Sequence, residues 1–258
     1  MLQTSTSGRV IPMRAAAPVK VTMPAARGAI SCSSCCLQSV CLPCDLHAAE
    51  LERFGDIAMA KRKVARGASL YRAGEAFDSL YAVRSGAFKT LGVSHNGDEK
   101  VTGFHLPGEL LGLDAISSGR HGYSAVALED SEVCAIPFAA LESMALSVPA
   151  LQHKLFKVLS GDISRDQGLM LLLGSMAAEQ RLAAFLLSMS RRYKRLGFSE
   201  SRFALRMTRE EIGNYLGLTL ETVSRLLSRF QKEAVIGVQQ REIEIKEPAR
   251  LREMVGQW

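Results

Sequence analysis

The chain has 258 residues, 47% of them hydrophobic and 22% charged, and a formal net charge of +6. That supplies apolar material for a full core and about two domains. No apolar run, that of residues 169–173 included, is long enough to span a bilayer, and no export signal with an apolar central stretch is visible, so we expect neither a membrane span nor secretion. The charge is uneven. Residues 1–44 carry four basic and no acidic side chains, whereas residues 181–258 carry 15 basic and 9 acidic ones behind a net acidic middle. A basic C-terminal segment fits a phosphate-binding module.

Residues 1–30 are rich in Ala, Pro, Ser and Thr without periodicity and read as a flexible leader. Their acid-free basic character also fits an organelle transit peptide. Five of the six cysteines then fall within thirteen residues: Cys32, Cys35, Cys36, Cys41 and Cys44. A short helix around residues 45–54 leads out of this loop. From residue 61 to 138, short apolar stretches are separated by Gly67, Gly74, Gly86, Gly97, Gly108 and Gly119. Closely spaced strands with glycine turns predict a β-roll or jelly-roll sandwich.

A long helix is predicted over 149–176. Gln152, Phe156, Leu159, Ile163, Asp166, Met170 and Leu173 step alternately by four and three, the rhythm of a seam for a partner helix. Asp166 is the anomaly. In a two-fold dimer its two copies face each other, and like charges held close and partly desolvated are costly. The plain alternative is a carboxylate that reaches solvent at the seam's edge. The chain therefore divides into a leader (1–30), a cysteine loop with a β-roll (31–148), a dimerisation helix (149–177) and a C-terminal domain (178–258), an α+β architecture.

Within the last domain, helices are expected around 179–196, 208–215 and 219–232, then a hairpin wing over 238–245. Thr208 and Glu211 make a capping box, Gly217-Leu218 breaks the chain, and Thr219 caps the next helix. This is winged helix-turn-helix geometry. Val223, Leu226, Leu227 and Phe230 form the second helix's apolar side. Glu221, Ser224 and Arg225 lie opposite, near the helix start where recognition helices touch bases. Arg grips guanine O6 and N7 in a fork, Glu accepts from cytosine N4, and Ser bonds a base or phosphate. A solvated face on an ordinary surface helix is the competing explanation, and the basic domain and turn speak against it.

Three readings of the cysteines compete. Cys32, Cys35, Cys41 and Cys44 form C-x2-C-x5-C-x2-C, two zinc-knuckle-like pairs with a gap short for zinc. An iron–sulfur cluster draws on the same four, or on three of them plus remote Cys134. Otherwise the loop holds reactive thiols, and Cys134, in a strand pattern, is simply core.

The stretches ISCSSCCLQSVCLPC, EVCAIPF, GDISRDQGLMLLLG, EQRLAAFLLSMSRRY and MTREEIGNYLGLTLETVSRLLSRFQK resemble the FNR branch of the CRP/FNR regulators, bacterial oxygen-responsive transcription factors, over about residues 30–247. The resemblance implies a cyclic-nucleotide-binding-like β-roll, a long dimerisation helix and a C-terminal winged helix-turn-helix. It implies a [4Fe-4S] cluster on Cys32, Cys35, Cys41 and Cys134, which oxygen converts to [2Fe-2S] and then destroys. Cys36 and Cys44 are additional to the family's pattern. It further implies a cytoplasmic homodimer that binds a TTGAT-type inverted repeat in double-stranded DNA, association tuned by Ile163 and Asp166, and a surface for RNA polymerase at Ser85 and the 93–100 loop that includes Gly97. Glu109 resembles the nucleotide pocket's ribose-binding acid. However, the Arg-Ser pair that holds the cyclic phosphate falls at about His121-Gly122 here, and a buried phosphodiester without a cation lacks its partner, so no cyclic nucleotide is expected. A zinc- or ligand-controlled regulator of the same fold is the alternative. No Gly-rich cofactor loop, catalytic triad or paired-carboxylate site points to an enzyme.

Overall fold

Two four-stranded antiparallel sheets face each other in the first half of the chain. The computed structural model describes residues 32–256 other than Gln38, Met59 and His95, and the leader expected over 1–30 lies outside them. Strands β1 (Ala60–Val64), β8 (Ser131–Pro137), β3 (Ser79–Ser85) and β6 (Leu110–Leu111) form one sheet in that order. Strands β2 (Ser69–Tyr71), β7 (Ser124–Ala127), β4 (Phe88–Val93) and β5 (Glu99–His105) form the other. Gly86 makes the β3–β4 turn at φ +80, and a Cβ there would collide with Ser131.

Alternation along β3 and β8 feeds two cores. Tyr81, Val83 and Val133 point into the roll with Phe88, Leu111 and Ala127. Leu80, Ala82 and Ile136 point the other way. That outer face is covered by Leu42 of the cysteine loop, Phe54 of α1 (Ala48–Ile57), Leu141 and Met144 of α2 (Phe138–Ser147), and Leu151 at the start of α3 (Pro149–Ser175). Burying each large apolar side chain contributes about 1.5–3 kcal/mol, so this second core pins the cysteine loop to the sheet.

Helix α1 begins at Ala48, three residues later than the composition implies. Glu50 reaches back to accept from the His47 backbone N–H at 3.0 Å, which sets the start. Helix α2 has no counterpart in the sequence reading. Its segment FAALESMALS is too apolar all round to show a two-faced pattern, and its packing against β8 and α3 makes it a helix.

The C-terminal domain contains α4 (Ala178–Arg195), β9 (Arg202–Ala204), α5 (Arg209–Leu216), α6 (Leu220–Lys232), β10 (Ile236–Gln239), β11 (Glu242–Ile245) and α7 (Pro248–Val255). The wing starts two residues before the expected hairpin and gains β9 as a third strand, in the order β10-β11-β9. Leu182, Phe185, Ile212, Val223, Phe230 and Leu251 share a core with Leu91, Val101 and Phe104 of the second sheet. The domain is thus docked on the roll through an apolar contact.

Helix α3 has 27 residues, about 40 Å at 1.5 Å per residue. Phe156 (58%), Ile163 (58%) and Met170 (69%), seven residues apart, are exposed along one side. Leu173, the last seam position, instead packs partly against the C-terminal core. Among the described residues, no helix is long and apolar enough to cross a membrane.

Candidate functional site

Cys134 pairs with Ala82 of β3 and Lys61 of β1, in the middle of its sheet. The period-2 alternation puts it on the same face as Ile136, the face the cysteine loop covers. The loop is folded by successive tight turns: Cys35 N–H donates to Cys32 O at 3.3 Å, Cys41 N–H to Leu37 O at 2.9 Å, and Cys44 N–H to Cys41 O at 3.2 Å. Leu42, 2% exposed, anchors it. Cys32, Cys41 and Cys134 all pack against that shared core.

The thiols sense one another. Burial pushes Cys41 up to about 12, with Cys134, Cys32 and Cys35 adding to the rise against a Leu42 backbone hydrogen bond. Burial also raises Cys134, helped by Cys32 and Cys35 and opposed by Arg84 and Lys61. Cys32 is raised by burial and by Cys35, and lowered by Lys61. A soft cation replacing those protons would relieve both the burial and the mutual repulsion. The two extra cysteines stand apart: Cys36 is exposed, and Cys44 Sγ accepts from Lys154 Nζ of α3 at 2.8 Å. Among the described residues, no three His, Cys, Asp or Glu side chains converge on one point that a single ion could occupy.

At the other end, Thr208 Oγ1 accepts from Glu211 N–H at 3.1 Å and Glu211 Oε2 from Thr208 N–H at 2.7 Å, closing the capping box. Gly217 takes φ +64 after α5. A Cβ on Gly213 would come within 2.7 Å of Leu218 O, so glycine there lets the turn close. Thr219 caps α6 by accepting from Thr222 N–H at 3.2 Å. Val223, Leu227 and Phe230 are buried, while Glu221 and Arg225 are exposed and Ser224 is half-buried. Arg209 of α5 donates to Ser224 Oγ at 3.3 Å, a partner that sequence spacing did not reveal. Arg181 was missed as well. Its guanidinium donates to Met176 O, Leu173 O and Leu216 O at 2.8–3.1 Å, tying the end of α3 to the end of α5.

Residues 61–147 match the model of the cyclic nucleotide-binding domain, and residues 180–254 that of the Crp-like helix-turn-helix domain. The "Fumarate and nitrate reduction regulatory protein" of Escherichia coli K12 is 45% identical, over 88% of this chain and 91% of that protein. The "Transcriptional activator protein Anr" of Pseudomonas protegens is 44% identical, over 93% and 97%. The solved structure of FixK2 from Bradyrhizobium japonicum, 32% identical, superposes with a TM-score of 0.70 over 77% of this chain and 98% of that one. The chain belongs to the CRP/FNR family, in its FNR-type branch. It is a DNA-binding transcription regulator that dimerises, and not an enzyme.

In this FNR-type regulator the positions implied for a cyclic nucleotide are otherwise engaged. His121 is buried and stacked on Tyr71 with ring centres 3.7 Å apart. Burial lowers its pKa against the opposing charges of Asp114, Glu75 and Asp78, which favours the neutral ring. Gly122 N–H donates to Asp114 Oδ2 at 2.7 Å. Glu109 is bound by Arg192 of α4, which donates from Nε at 2.9 Å and from a terminal nitrogen at 2.5 Å. On α3, Ile163 and Asp166 are both exposed. Ser85, at the end of β3, and Gly97, in the β4–β5 turn at φ +84, are also exposed.

Proposed function

We propose that this regulator senses oxygen through a [4Fe-4S] cluster held by Cys32, Cys35, Cys41 and Cys134. The observation that carries the reading is Cys32 and Cys41 of the loop packed with strand Cys134 against one apolar core, all three thiols being raised by burial and by neighbouring cysteines that include Cys35. The donor set fits such a group. A single zinc, with Zn–S of about 2.3 Å, draws its sulfurs to roughly 3.8 Å apart. A four-iron cluster gives each thiolate its own iron, so it takes four cysteine donors spaced more widely than a single zinc does. Bound there, the cluster would supply an oxygen-labile centre between the loop and β8.

With the loop so held, α3 pairs with its copy through Phe156, Ile163 and Met170, and the gain outweighs the Asp166 repulsion. The cytoplasmic homodimer then places two α6 helices on a TTGAT-type inverted repeat, read by Glu221, Ser224 and Arg225. Ser85 and Gly97 face RNA polymerase. No cyclic nucleotide is bound, because His121 supplies no cation for a phosphodiester. The test is anaerobic purification with iron, sulfide and zinc analysis before and after air. Stoichiometric iron and sulfide, lost in air together with DNA affinity, is the expected result; zinc without a visible chromophore would favour a zinc-controlled regulator instead.

Arg225 is expected to read a base. It is exposed near the start of α6, held by a 3.3 Å bond to Thr222 Oγ1. Arg225→Ala should cost about 1–3 kcal/mol at the specific site and relax preference at one base pair. Binding measured across single-base site variants checks this. A uniform loss on all sequences would make Arg225 a backbone contact.

A further inference from the structure

Glu109 lies in the turn between β5 and β6. Its side chain is 17% exposed and that of Arg192 is 12% exposed. Besides gripping both Glu109 oxygens, Arg192 donates to Phe104 O at 2.6 Å, and Glu109 Oε2 also accepts from Leu106 N–H at 3.0 Å. Burial alone would push the Glu109 carboxyl up, yet the Arg192 charge and hydrogen bonds hold it below the usual carboxylate range. An ion pair so placed is satisfied in one geometry and costly to separate. It therefore fixes how the DNA-binding domain sits on the roll.

Other polar contacts agree on that geometry. Asn214 of α5 pairs its side-chain amide with the edge of β5, accepting from Val101 N–H at 2.7 Å and donating to Glu99 O at 2.9 Å. Lys89 of β4 meets Glu211 at 2.8 Å, and Glu129 meets Arg206 at 3.1 Å. All of these use α4, α5 or the segment between them. They leave Glu221 and Arg225 of α6 exposed, so the docked arrangement is compatible with DNA.

The same turn touches the cysteine loop. Gly108, at φ +84, donates to Val83 O at 2.8 Å, and a Cβ on it would come within 2.8 Å of Val40 Cγ2. Val40 lies one residue before Cys41. The loop therefore packs on Gly108 while the DNA-binding domain grips Glu109, the next residue.

We propose that Glu109 and Arg192 are a positioning pair through which the cysteine loop sets the orientation of the DNA-binding domain. The carboxylate that resembles a ribose-binding acid holds the chain's own arginine instead. When the loop is ordered, Val40 supports the turn and the pair holds the domain ready for DNA; when the loop relaxes, the turn loosens and so does the domain. This coupling rests on the reading that the loop holds an oxygen-labile cluster, while the pair itself does not.

The experiment uses full-length protein purified anaerobically: wild type, Glu109→Gln, Arg192→Gln and the exchange Glu109→Arg/Arg192→Glu. Iron and visible absorbance, sedimentation, and affinity for an inverted-repeat duplex are measured on each. Both single variants should keep the wild-type chromophore and dimer but bind DNA roughly five- to a hundredfold more weakly, the usual range of site-to-site coupling. The folded exchange should recover most of that loss, and if it does not fold, the single variants decide. In wild type, hydrogen exchange over residues 104–110 should rise after air removes the cluster. Affinity within about twofold of wild type in both single variants would overturn the pair's role. So would tighter binding, a folded exchange no better than the single variants, or loss of the dimer together with DNA binding. Unchanged hydrogen exchange in air would overturn the coupling to the loop. If wild type itself carries no iron, the cluster reading fails, and the pair is judged on the affinity ratios alone.

Discussion

Cys134→Ala should abolish the visible chromophore of anaerobically purified protein, and Cys44→Ala should leave it. Cys134 is the proposed ligand outside the loop, fixed in a strand paired on both sides. It ties any group bound there to the rigid sheet, whereas Cys44 is turned toward Lys154 and Cys36 toward solvent. Truncating a half-buried thiol to Ala costs roughly 1 kcal/mol of stability, so the roll should survive and loss of iron should not reflect unfolding. Iron per chain and absorbance decide the matter, with circular dichroism as the control on folding. Full occupancy in Cys134→Ala would remove it from the ligand set and favour Cys44.

Asp166→Ala should make the cluster-free protein dimerise and bind its DNA site in air. Asp166 is exposed on α3, on the helix that also exposes Phe156, Ile163 and Met170. Its neighbour Arg165 pairs with Asp162 at 2.9 Å, so that cation is already engaged. Across a two-fold axis, the size of the effect depends on how dry the seam becomes. A solvated carboxylate pair opposes association by less than about 1 kcal/mol, a rigid buried pair by several. Alanine removes the charge without adding bulk. Sedimentation of cluster-free wild type and Asp166→Ala at matched concentrations separates the cases, and equal monomer fractions would mean the carboxylate points to water and the seam switch must be abandoned.

Much of the architecture was legible because its signals are local. Glycines at 67, 74, 86, 97, 108 and 119 all take positive φ, and strands β2 to β6 fall between them. Thr208, Glu211, Gly217 and Thr219 mark the helix-turn-helix through hydrogen bonds that span three residues or fewer, or through a single left-handed residue. Val223, Leu227 and Phe230 sort to the inside of α6 by helical period alone. Such features depend on backbone sterics and on neighbours within one turn, so the order of residues is enough.

Other features came only from the packed molecule. Helix α2 shows no two-faced pattern and is set by the surfaces of β8 and α3 that enclose it. The face of Cys134 depends on strand register, since a shift of one residue would turn it into the roll and turn Val133 and Ala135 out of it. Arg192 gives no signal in its own helix, where it is one of several basic residues near the C-terminal end. Its partner lies 83 positions away, and only the docking of α4 on the roll brings the two charges together. Glu109 shows the division most clearly. Its local motif resembles a ligand-binding acid, but a carboxylate takes its role from whichever cation reaches it, and in this fold that cation belongs to the DNA-binding domain.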